Sequence, residues 1–554
     1  MPKPLAQSSA TPAPEGGAFA RRWSGYAGIF FDEFATDSAW IREVGTIRLP
    51  PLDSCPAVVL HGEFRPHPAA TGLERTPPTL ACAVNGTTVG QIEAAPKSWQ
   101  ISLPLPADAA TRPAVVTLKL GGVAFTNFLA WLGRMTGWSF WQRFRAQHKN
   151  RQLRLLRLTT VDGEVIYDFG NRHAPYAPAF ARRHARLGLN VVGFMTADLG
   201  IGESARGMVR AADAAQLPTA LIDLKLNVKT SRGDRSYAER LVADPDQPVS
   251  VFHLDPPAAR DIDHHHGKRF RAGRYNIGYW AWELPEFPDA WVTYCEYFDE
   301  IWCPSDFVRE AIAMQSPVPV LTMPHAITVT PPSESINQLR ARFDLPPDRL
   351  LFLFLYDLNS YSPRKNPTAV IEAFRRSGLA AEGAALVIKT HGAKGNEADL
   401  AALRDAVSDM AETRLIAETL SRADLTALES ACDVFVSLHR SEGFGFAVAE
   451  CMALGKPVIA TDWSATAEFL NATNGCPVRS QLIELEQNVG PYAKGQRWAE
   501  PDVAHAAAEM RRLAADPALR TRLGEAARHT VKQRFAPQVI GARYRRRLEA
   551  IAMR

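Results

Sequence analysis

No two of the seven cysteines, at positions 55, 82, 295, 303, 432, 451 and 476, stand in a C-x2-C spacing. That argues against a zinc ribbon or a redox dithiol, and the odd count fits a reducing compartment. No apolar run approaches the roughly 20 residues of a membrane-spanning helix. The opening "MPKPLAQSSATPAPEGG" lacks the apolar core of a signal peptide and reads as a disordered tail over residues 1–25. Both absences point to the cytoplasm. Charge of one sign is also scarce overall: the formal net charge is +4 with 22% charged residues, which gives no reason to expect a nucleic-acid partner. One absence is local. No Asp or Glu lies between 109 and 161.

What is present exceeds one core. A chain of 554 residues with 46% hydrophobic content implies two or three domains. Residues 26–185 carry short β-type runs such as "AVVLHGEF", "WQISLPL" and "AVVTLKLGGVAF" between Pro- and Gly-rich turns. Asn85-Gly86 and Asp162-Gly163 are hairpin signals. This predicts a β-sandwich-like N-terminal domain. The acid-free stretch interrupts it. On a helix, Phe128, Trp131, Leu132, Met135 and Trp138 form one apolar stripe, and Arg134, Arg143, Arg145, Lys149, Arg151 and Arg154 surround or follow it. Aromatics beside unopposed cations suit a helix lying on an anionic membrane, so 128–154 is a candidate peripheral contact on the inner face of the cell membrane. The alternative is that the stripe packs on the β-domain or its neighbour, with Gly133 and Gly137 favouring packing.

From Leu189 the grammar becomes alternation of buried strands ("LNVVGFMT", "TALIDL", "VSVFHLD") with helices, the pattern of a parallel α/β sheet. It restarts near Leu350 with "LLFLFLYDL". The expected fold class is α/β, two Rossmann-like domains facing a cleft, at 186–340 and 341–554, with a basic helix closing the chain. Ligands of such sheets lie beyond the C-terminal strand ends.

The chemistry concentrates in "SEGFGFAVAECMALGKPVIATD", residues 441–462. "CDVFVSLHR" is a buried strand, "SEGFGF" the loop at its C-terminal end and "AVAECMAL" the helix beyond. Gly443 and Gly445 permit close backbone approach, and the helix start favours a diphosphate. Glu442 and Glu450 would then meet the two ends of a ligand, where carboxylates accept hydrogen bonds from vicinal hydroxyls. A nucleotide-sugar is the natural candidate.

This spacing, with "GFG" between the acids and "ALGKPVIAT" after them, resembles the E-x7-E signature of retaining glycosyltransferases with the GT-B fold, in particular family 4. The resemblance covers roughly 188–554 and is strongest over 350–470. It implies that Glu442 contacts the transferred sugar, that Glu450 holds the ribose hydroxyls, and that Gly443, Phe444 and Gly445 belong to the donor-binding loop. In "SPRKNP", Lys365 and Arg364 are the cations that would stabilise a leaving diphosphate without a metal. The family usually has an Arg where this chain has Ser360, so Arg364 is the substitute guanidinium. The turn "DLGIGES" places Gly200 and Gly202 where the family's glycine-rich loop faces the donor phosphates. Many relatives carry a His-Asp-like pair on the acceptor side; here His253, Trp282 and Glu283 are the sugar-contacting candidates. His325 reads as a hinge residue. Three adjacent histidines in "DIDHHHGK" do not converge on one ion, and neither metal nor cofactor is expected.

The reading is sugar transfer from a nucleoside diphosphate sugar to a glycan or lipid-linked acceptor, of the kind found in bacterial surface polysaccharide assembly. Two rivals remain: a sugar-nucleotide epimerase of the same fold, and an inactive glycan-binding or scaffold protein.

Overall fold

The structure, a computed structural model, describes residues 26–552 apart from short stretches, the longer of them 32–36, 71–74, 137–148, 181–186 and 227–231. The chain divides into two compact units, one built on residues up to Leu187 and the other spanning Gly188–Arg546.

The first unit is antiparallel. Its strands are β1 (Tyr26–Phe31), β2 (Ala39–Leu49), β3 (Ala57–Phe64), β4 (Thr79–Val84), β5 (Thr87–Ile92), β6 (Ser98–Pro104), β7 (Ala114–Gly121), β8 (Leu153–Thr160) and β9 (Val165–Asp168). They follow the path β5–β4–β7–β2–β8–β3–β6, with β1 on β2 and β9 on β8. One residue pair, Ala39 with Leu155, joins β2 to β8. The nine strands form one antiparallel sheet around a core that includes Leu60, Leu103, Leu118 and Leu155, a separate antiparallel β region as expected. Alternation supplies that core: along β4 every second residue is buried. The β4–β5 hairpin turns on Asn85 and Gly86, both at positive φ, as a two-residue turn of matching twist requires.

A helix covers Ala124–Thr136. Much of its apolar face is exposed, with Leu132 half-buried. Phe125, Phe128, Trp131 and Met135 are 58%, 51%, 49% and 69% exposed, whereas Leu129 is buried. Of the cations around it, Lys149 and Arg154 are buried and Arg151 lies over the Trp40 ring. Trp138, Arg143 and Arg145 lie outside the described residues.

The second unit holds two six-stranded parallel sheets. Strands β10 (Leu189–Gly193), β11 (Thr219–Asp223), β12 (Val249–His253), β13 (Tyr275–Tyr279), β14 (Glu300–Cys303) and β15 (Val320–Thr322) run in the order β11–β10–β12–β13–β14–β15. Strands β16 (Leu350–Asp357), β17 (Ala384–His391), β18 (Thr413–Ile416), β19 (Val434–Ser437), β20 (Val458–Thr461) and β21 (Cys476–Val478) run β18–β17–β16–β19–β20–β21. Strands β10, β12 and β13 are buried at every position, which is why they read as unbroken apolar runs. In the second sheet the strand order reverses between β16 and β19. A doubly wound sheet opens its crevice at that switch point, and the loops leaving those two strands carry Lys365 and Glu442.

Candidate active site

A cavity of about 1190 Å³ lies between the two halves of the second unit, lined from one side by Asp198, Gly200 and Glu203 and from the other by Lys365, Glu442 and Glu450. Its centre is built on unusual backbone. After β16 a short helical turn, Ser362–Lys365, is bounded by Tyr361 at φ +65° and Asn366 at φ +55°. Ser464, at φ +63°, accepts the Glu442 backbone N–H through Oγ at 2.9 Å. Positive φ at three non-glycine residues around one site is strain that persists only where the surroundings hold it.

Those surroundings fix Glu442. Its carboxylate pairs with the Lys365 ammonium and lies 3.3 Å from Arg364 Nη1. Burial alone would raise this carboxyl, but Lys365, Arg364 and His439 outweigh it and pull it down to about 2. Arg364 is buried, donates Nη1 to the Ser441 carbonyl at 2.8 Å, and stands 3.9 Å from Glu283. Arg364 also lines the cavity, and its Nε has no hydrogen-bond partner among the described residues.

Glu450 is on the helix Phe446–Ala453, whose start at Gly445 carries no side-chain cap. Arg422 donates to both Glu450 oxygens, one of them at 3.1 Å. Burial nevertheless leaves the Glu450 carboxyl above its ordinary value, with the like charge of Glu203 adding to it against the pull of Arg422. Behind it, Glu429 is fully enclosed with neither oxygen hydrogen-bonded, and burial drives its carboxyl well up.

The glycines serve the protein's own packing. A Cβ on Gly443 would meet the Trp282 carbonyl oxygen at 2.9 Å. Gly445 has φ +91°, and a Cβ there would lie 2.5 Å from Thr466. Gly202 is closed in by the Ala197 and Phe194 carbonyls at 2.7 Å, while Gly200 faces open space at the start of the helix Gly200–Ala214. Phe444 is buried in an aromatic cluster with His325, Phe469 and Phe535, one edge on the cavity.

On the opposite wall two candidates are corrected. His253 is fully buried, its Nδ1 2.8 Å from Ser204 Oγ, its Nε2 facing the Met208 sulfur and its ring stacked on Tyr279. Trp282 is also buried, with Nε1 donating to the Glu286 carbonyl at 2.8 Å and its ring among Phe287, Trp291 and Tyr492. Neither lines the cavity. A residue at a strand's end points either to the cleft or under the sheet, and both went under. Glu283 does line it, accepting from Tyr492 Oη at 3.0 Å. His325, read as a hinge, forms part of the cavity wall with its ring on Phe446.

Several lining residues had no sequence signal: Asp255, Lys389, His391 and Arg422. Desolvation at the cavity wall and the nearby Glu283 raise the Asp255 carboxyl, which still reaches water, to about 6. Arg422 follows an ordinary capping serine, and only the folded chain brings it to Glu450.

Residues 335–530 match the family model described as Glycosyl transferases group 1. No curated protein matches the chain at a significant level. Among solved structures it is similar to a glycosyltransferase from Rickettsia africae, at 13% identity over 66% of this chain and 97% of that one, TM-score 0.48. It is likewise similar to Anabaena HepE solved with UDP and glucose (14% identity, 66% and 100% covered, TM-score 0.48). A third is a sucrose-phosphate synthase from Thermosynechococcus elongatus (16% identity, 66% and 100% covered, TM-score 0.49). Over residues 335–530 the chain is thus similar to the group 1 glycosyltransferases, which supports sugar transfer from a nucleotide sugar as its chemistry.

Proposed function

We propose that this protein is a retaining, family 4-like glycosyltransferase that moves a hexose-type sugar from a nucleoside diphosphate sugar to a glycan or lipid-linked acceptor in bacterial surface polysaccharide assembly. The observation that carries the reading is the pair Glu442 and Glu450 on one loop-helix unit at the sheet's switch point, with Lys365 on the first. Glu442, ionised throughout the physiological range, would accept hydrogen bonds from the sugar. Glu450 would take the ribose hydroxyls, with Arg422 giving way or sharing the carboxylate. As the glycosidic bond breaks, the bond electrons go to the diphosphate oxygen, whose charge Lys365 and the uncapped helix start would stabilise. The leaving phosphate can accept the acceptor's proton, so no protein nucleophile is required.

The test is acceptor-dependent release of nucleoside diphosphate across a panel of UDP-, GDP-, ADP- and dTDP-sugars offered with glycan and lipid-linked acceptors. Release with one donor and an acceptor, abolished in Glu442→Gln, is expected. Interconversion of the donor sugar without acceptor would replace the reading with the epimerase. No turnover of any donor would replace it with the binding protein. Activity should survive EDTA, because the diphosphate charge falls to protein cations; complete loss restored by magnesium or manganese would contradict that.

The same proposal includes apolar contact of the helix Ala124–Thr136 with a membrane surface, on the strength of its exposed Phe125, Phe128, Trp131 and Met135. The protein should float with anionic liposomes and Trp131→Glu should not; wild type remaining at the bottom would sink it.

A further inference from the structure

The cations on the second half's wall of the cavity are nearly all neutralised by the protein itself. Lys365 and Arg364 face Glu442, and Arg422 faces Glu450. A donor diphosphate brings at least two negative charges into this partly desolvated space, so a cation not already paired would be needed there.

Lys389 is such a cation. It lies on β17, in register beside Leu355 of β16, the strand whose loop carries Ser360 and Lys365. It is 4% exposed and lines the cavity. Its Nζ has one hydrogen-bond partner, His391 Nδ1 at 3.3 Å. No carboxylate among the described residues comes within ion-pair distance; Asp357 and Glu418 act on it only at longer range. Burial outweighs their pull and lowers the ammonium to about 8, the condition of a cation awaiting a counter-charge.

His391 shows which way the pair faces. Its Nε2 is 3.7 Å from Asp357 Oδ1, and its ring feels Asp198, the residue two before Gly200 on the opposite wall. Lys389 and His391 therefore stand across the cavity from the glycine turn and the start of the helix Gly200–Ala214. Both line the one cavity, where an anion would meet an ammonium from one side and a helix start from the other.

We propose that Lys389 is a donor-binding residue whose ammonium takes the diphosphate of the nucleotide, with His391 Nδ1 holding the Lys389 side chain in position. It would supply a positive charge that no carboxylate among the described residues already pairs. This assignment rests on the nucleotide-sugar reading of the cleft.

The measurement is calorimetric titration of the full chain, wild type and Lys389→Met, with uridine, UMP and UDP, and with the guanosine and adenosine series. In the series that binds, Lys389→Met should weaken the diphosphate about 10- to 100-fold and leave the nucleoside within twofold. Should the methionine variant fail to fold by circular dichroism, Lys389→Gln serves in its place. Because nucleoside and diphosphate are compared within one variant, a general loss of structure weakens both. Equal weakening, or a diphosphate affinity within twofold of wild type, overturns the Lys389 assignment and leaves the donor reading standing. A wild type that binds no nucleoside diphosphate overturns both.

Discussion

Glu442 and Glu450 are chemically identical, and their neighbours give them different electrostatic surroundings. Two cations hold Glu442 ionised, whereas burial leaves Glu450 dependent on one shared arginine. Glu450→Ala should weaken nucleoside diphosphate binding by about 1.5–3 kcal/mol, the range for hydrogen bonds to a charged group. Glu442→Gln should lower kcat with diphosphate affinity near wild type; titration calorimetry and initial rates separate the two. Asp255 offers a pH test. Its carboxyl is raised to about 6 in the fold, against about 3.9 for an unperturbed Asp, so its ionised form costs stability at neutral and higher pH. That cost fades as pH falls through 6 and is gone below about 4. Asp255→Asn should raise Tm by roughly 1–2 °C at pH 8, kept small because the side chain still reaches water, and by nothing at pH 4. Glu442, Glu450 and Lys365 were legible because they fall at set spacings next to a strand and a glycine turn. Asp255, Lys389 and Arg422 were not, since each matters through a partner supplied by another element. His253 and Trp282 misled for a related reason: position at a strand end does not say which way a ring turns.

At the scale of elements, the loop "SEGFGF" is pinned from several directions. Ser441 Oγ donates to the Glu283 carbonyl, Ser305 Oγ donates to the Gly443 carbonyl at 2.7 Å, and Gly445 holds a φ no side chain favours. Gly445→Ala should therefore destabilise the protein by more than about 1 kcal/mol and lower activity further, as strain at φ > 0 adds to the clash with Thr466; a thermal melt unchanged from wild type would contradict it. The alternation of strand and helix was plain in the sequence, and so was the switch from period-two to continuous apolar strands near Leu189. The antiparallel hairpin Ser480–Glu484 with Arg497–Pro501 was not. Its sequence is polar and Gly-containing, and its apolar residues Leu485, Tyr492 and Trp498 find their core on the other half of the cleft. Likewise the stripe on Ala124–Thr136 was legible, but periodicity cannot tell a face that packs from one that stays in solvent.

Across the second unit, that hairpin ties the two halves of the cleft together. Tyr492 reaches Glu283, Gln496 Nε2 donates to the Glu286 carbonyl at 3.0 Å, and Glu468 accepts the Asp306 and Phe307 backbone N–H groups at 3.2 and 2.7 Å. Such ties hold the wall bearing Glu283 and Asp255 against the wall bearing Glu442 and Lys365. The proposed retaining transfer would fix the stereochemistry of the product, and that is the most direct test of the account. With the donor identified, the product of the full chain should be followed by proton NMR from the first turnovers. An α-linked donor giving an α-linked product, with loss of signal in Glu442→Gln, is the predicted result. A β-linked product from that α-linked donor would contradict the central claim.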